Sequence, residues 1–70
     1  MKSQNLEILS YLKRGNPITP IEAKRIFGCE RLASRIYDIR KMGYIIKDWM
    51  IKVRTRTGYT HVKRYSLVGE

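Results

Sequence analysis

The chain has 70 residues, enough for one small domain with a thin core and little room for an enclosed pocket. It is 43% hydrophobic, which excludes the low-hydrophobicity disorder that a net charge of +9 would otherwise suggest. Cys29 is the single cysteine, so an internal disulfide and a thiolate zinc site are both excluded.

Leu6, Ile8, Leu9 and Leu12 recur at helical spacing and predict a first amphipathic helix. Ser3 is placed to cap it, and Lys13-Arg14-Gly15 is a suitable stop, with cations at the negative end of the helix before a residue free to turn. Asn16-Pro17 then breaks the chain. Thr19-Pro20-Ile21-Glu22 predicts a sharp second start: Thr19 caps, Pro20 fits the first turn, and Glu22 closes a capping box. Ile21, Ala23, Ile26 and Phe27 would form the apolar side of this helix, which should end at Gly28. After a short link, Leu32, Ala33, Ile36 and Ile39 predict a third helix over residues 30–42, with Gly43 ending it. Two short helices joined by a tight glycine-containing turn make a helix-turn-helix pattern.

The period then changes. Trp49, Ile51 and Val53 alternate with Lys52 and Arg54, and Tyr65 and Leu67 alternate with Arg64 and Ser66, which is strand spacing. Gly58 is placed for a positive φ, in either a two-residue turn or a three-residue loop with a bulge. Phe27, Trp49 and Tyr65 are the large side chains expected to fill the core. The architecture expected is α+β, three helices followed by a β-hairpin, in one domain over residues 1–70. No long apolar run marks a signal peptide or a membrane span, so a soluble protein is expected.

The basic balance points to an anionic partner, nucleic acid above all. On the third helix, the side away from the apolar stripe presents Glu30, Arg31, Ser34, Arg35, Asp38 and Lys41, with Tyr37 at its edge. A helix fits the major groove of B-DNA, where Arg can bond both guanine acceptors and Ser can donate or accept. Asp38 can accept from cytosine or orient a neighbouring Arg. Arg31 and Arg35 repel each other at four-residue spacing unless an anion relieves them. Arg40 lies near the apolar stripe and should pack or pair instead. In the hairpin, Lys52, Arg54, Arg56, Lys63 and Arg64 fall in a stretch without acidic residues, suited to phosphates and to strong salt dependence. Tyr59 and His61 near the tip could stack on nucleic acid. Nothing points to catalysis: there is one His, one Cys, no metal-ligand spacing and no glycine-rich phosphate loop, so neither an enzyme nor a cofactor is expected.

Ile18-Thr19-Pro20-Ile21-Glu22-Ala23, Phe27-Gly28-Cys29, Arg31 through Arg40, Gly43-Tyr44 and Arg64-Tyr65-Ser66-Leu67 together resemble a family of small winged helix-turn-helix proteins common in bacteriophages, prophages and mobile elements. The resemblance implies a three-helix bundle with a two-stranded wing. By position it makes Arg31, Ser34, Arg35 and Asp38 major-groove residues and places Arg54, Arg56 and Gly58 at the wing tip. Double-stranded DNA is then the expected partner, and the expected role is a cytoplasmic, DNA-associated regulator of transcription in a bacterial host. The alternatives are an accessory factor for recombination or replication, a docking module for a host protein, or RNA binding. A monomer or weak dimer is expected, with pairing on DNA open.

Overall fold

The computed structural model describes residues 4–68. Three helices come first, α1 (Gln4–Lys13), α2 (Pro20–Phe27) and α3 (Leu32–Lys41), followed by β1 (Ile46–Thr55) and β2 (Gly58–Leu67). Ser3, the expected cap of α1, lies outside the described residues. The strands form an antiparallel pair in which Ile46 faces Leu67 and Thr55 faces Gly58. Arg56-Thr57 is therefore a two-residue turn. Gly58, the first residue of β2, has a φ of 145°, open to glycine and strained for other residues.

The second helix is fixed by local chemistry. The Thr19 hydroxyl accepts from the Glu22 N–H at 3.3 Å, and the Glu22 carboxylate accepts from the Thr19 N–H at 3.1 Å. Pro20 occupies the first turn, and Gly28 closes the helix in the left-handed conformation. Its N–H donates to the Lys24 carbonyl at 2.9 Å while the Cys29 N–H reaches back to Ala23 at 3.1 Å, satisfying the last carbonyls of the helix. Cys29 is thereby folded inward as a buried turn residue.

The core joins Ile8, Leu9 and Leu12 of α1, Ala23 of α2, Leu32, Ile36 and Ile39 of α3, and Ile18, Cys29, Ile46 and Tyr65. Tyr11 and Phe27 pack against it edge to face, with ring centroids 5.5 Å apart. Several expected core residues lie outside it. Leu6, at the margin of the α1 stripe, is 55% exposed; Ile21 and Ile26 are exposed because α2 turns only Ala23 fully inward. Ala33 is exposed on α3, one residue round the helix from buried Leu32. Trp49 is 40% exposed: it pairs with Arg64, and that rung points away from the side carrying Ile46 and Tyr65.

A further contact has no periodicity behind it. Ile18 and Tyr65 exchange backbone hydrogen bonds of 2.9 and 2.8 Å, an isolated antiparallel bridge that adds Ile18 to the sheet beside β2. The link between α1 and α2 is thus tied to the last strand. Among the described residues no helix is long and apolar enough to cross a membrane.

Candidate nucleic-acid interface

Leu32, Ile36 and Ile39 anchor α3 in the core, and this fixes which side chains face outward. The helix begins two residues later than expected. Glu30 sits in a bend and Arg31 is the N-cap residue, because neither offers the short oxygen-bearing side chain that would cap an earlier turn. No side chain caps α3, and its first turn contains no acidic residue. Arg31, Ser34 and Lys41 are exposed, and Arg35 and Asp38 are half-buried.

Asp38 is already engaged. Its Oδ2 accepts from Asn5 Nδ2 of α1 at 3.3 Å and lies 3.8 Å from Arg35 Nη1. Of the two roles open to Asp38, orienting a neighbouring Arg is the one this geometry favours. Arg35 Nε is buried without an acceptor for its N–H. Asn5 left no signal in the sequence, because it meets Asp38 only when α1 packs on α3. Tyr37 is exposed, with Lys41 Nζ 5.3 Å from its ring centroid, so these two residues present one joint surface.

Arg40 pairs as expected of it. Its Nη2 donates to the Ile46 carbonyl at 2.7 Å and to Asp48 Oδ2 at 3.0 Å. This fastens the end of α3 to the base of the hairpin. It also neutralises the one carboxylate of the two strands, and residues 49–68 contain no acidic residue of their own.

Directly opposed residues of an antiparallel pair share a face, so the register sorts the hairpin cations. Lys52 and Arg54 of β1 lie on one face with Lys63 of β2, alongside Met50, His61 and Tyr59. Arg56 is in the turn, and Gly58 opens the returning strand. Arg64 stands apart from the other cations, on the opposite face beside Trp49, and is half-buried with Nε lacking a hydrogen-bond partner. That opposite face also carries half-buried Ile51, Val53 and Val62. Burial ends at Ile46 and Tyr65. The seven residues from Trp49 to Thr55, at about 3.3 Å each, therefore extend the hairpin roughly 20 Å past the helical body.

Helix, link, helix and a long basic hairpin are now in place, and one comparison bears on them directly. Residues 3–70 match the family model described as a winged helix-turn-helix domain. The chain belongs to that family. No curated protein and no solved structure matches it. In this winged helix domain α2 and α3 are the helix-turn-helix pair, and β1 and β2 are the wing. Membership of this family implies DNA as the partner.

Proposed function

We propose that this winged helix domain binds duplex DNA with sequence preference and serves as a transcriptional regulator of a phage or mobile element. The observation that carries the proposal is the joint state of the two carboxylates within α3 and the wing, Glu30 lying in the bend before the helix: Asp38 is taken up by Asn5 and Arg35, and Asp48 by Arg40. What remains outward on α3 and the wing is cationic or neutral, as a surface meant for a polyanion should be.

In this reading α3 enters the major groove. Arg31, Ser34 and Arg35 meet base edges from its N-terminal part, the part that reads bases in helix-turn-helix domains. Asp38 steadies Arg35, favouring a two-pronged approach to guanine. Lys41, at the far end of the helix, meets a phosphate. A wing overhang of about 20 Å exceeds the roughly 12 Å width of the major groove, so the tip can cross to the backbone or the adjoining minor groove. Lys52, Arg54 and Lys63, with Arg56 at the turn, neutralise phosphates, while Gly58 allows the turn to approach closely. Arg64 adds to the field from the other face.

Selection from a randomised duplex library, followed by anisotropy titration of the winner over a salt series, tests this. A defined motif bound far more tightly than random duplex is the expected result. Replacing Arg54 and Arg56 together by Ala should flatten the salt slope by about one unit per lost phosphate contact. Steep salt dependence without an enriched motif would replace the regulator with an architectural or recombination-accessory factor. No binding to any duplex would overturn the proposal and favour RNA or a protein partner.

A further inference from the structure

The overhanging part of the wing has a face whose composition phosphate binding does not explain. Its three outer rungs are Met50 opposite Lys63, Lys52 opposite His61, and Arg54 opposite Tyr59. All six side chains are exposed, and Tyr59 is 64% exposed. Lys52 Nζ lies 4.8 Å from the Tyr59 ring centroid, so a cation and an open aromatic ring form one unit.

Three cations are sufficient to hold a phosphate backbone. A tyrosine ring and a methionine left in water beside them add nothing to that attraction. This face continues the one that carries Ile46 and Tyr65, but past Tyr65 no helix covers it and all six side chains are exposed, while half-buried Ile51, Val53 and Val62 line the other face. Within a duplex the flat surfaces of the bases are covered by their neighbours. An unstacked base offers a free surface, and an exposed aromatic ring flanked by cations is the combination that holds single strands.

We propose that this face of the wing binds an unstacked base of single-stranded DNA adjoining the bound duplex, with Tyr59 as the stacking platform at the point where the backbone held by Lys52, Arg54 and Lys63 leaves the duplex. The location beside a duplex rests on the reading of α3 above; the stacking itself does not. The competing account is that the Tyr59 hydroxyl donates to a phosphate, and the two accounts differ in what phenylalanine would do at this position.

The test compares three probes by fluorescence anisotropy: a blunt duplex, the same duplex with a short single-stranded tail, and the free single strand. Tyr59→Phe and Tyr59→Ala are measured beside the unmodified chain, and thermal melts check that both are folded. The tail should tighten binding about tenfold, within the range of one base–aromatic stack. Tyr59→Phe should keep that gain and Tyr59→Ala lose it, with blunt-duplex affinity unchanged in both. Equal affinity for tailed and blunt duplex, or a Phe variant as impaired as the Ala variant, would overturn the proposal. Failure of the α3 reading would look different: the blunt duplex would go unbound, while the free strand still separated Phe from Ala.

Discussion

The two helices of the helix-turn-helix pair are built on opposite principles. Helix α2 buries only Ala23, yet it is finished at both ends, by Thr19, Pro20 and Glu22 at its start and Gly28 at its end. Helix α3 buries Leu32, Ile36 and Ile39, yet begins at an arginine whose side chain caps nothing. Local chemistry defines α2, and tertiary packing defines α3. A helix held firmly from its inner side can leave its start and outer surface unfinished, and such local departures concentrate where function is located.

This contrast can be broken or sharpened by substitution. The largest effect should come from Ile36→Ala, which removes a fully buried anchor of α3 and should cost about 2–5 kcal/mol of stability in urea titration. An unchanged midpoint would mean that packing does not hold α3. Arg35→Ala should leave the urea midpoint nearly unmoved and weaken binding to the selected duplex by about 1–3 kcal/mol, relaxing preference at one base position. Equal loss on every duplex would remove Arg35 from base reading. Thr19→Ala should cost about 1 kcal/mol of stability with no change in affinity once folded. A binding defect there would show that α2 does more than support its partner. The smallest effect should be Arg31→Ser, which supplies the missing cap oxygen. We expect stability to rise by about 0.5 kcal/mol while DNA affinity falls, and a loss on both counts would contradict the trade.

Local signals in the sequence were sufficient for α2, whose limits agree with the residues that cap it. For α3 the stripe of Leu32, Ile36 and Ile39 was legible, but its start was not, because Glu30 and Arg31 carry no capping signature. The strand alternation was also legible. Which side of the hairpin covers the core was not, since apolar residues occur on both: Trp49 pointed inward in the sequence reading and stands on the outer side. For the same reason the five wing cations read as one cluster, and only the register separates Arg64 from Lys52, Arg54 and Lys63. Asn5 and the Ile18–Tyr65 bridge had no sequence signal, because each depends on a partner brought near only by folding.

That bridge also bears on how the chain folds. Ile18 and Tyr65 are 47 residues apart in sequence, so their pairing closes a loop containing α2, α3 and nearly all of the hairpin. Contacts this distant in sequence are entropically costly to bring together, whereas helices and hairpins form from neighbours. Nascent helices and a nascent hairpin can precede the seam, but the core acquires Tyr65 only when the last strand returns. Opening of the helical half and of the wing base should therefore be coupled, and hydrogen exchange at the Ile18 and Tyr65 amides would show it.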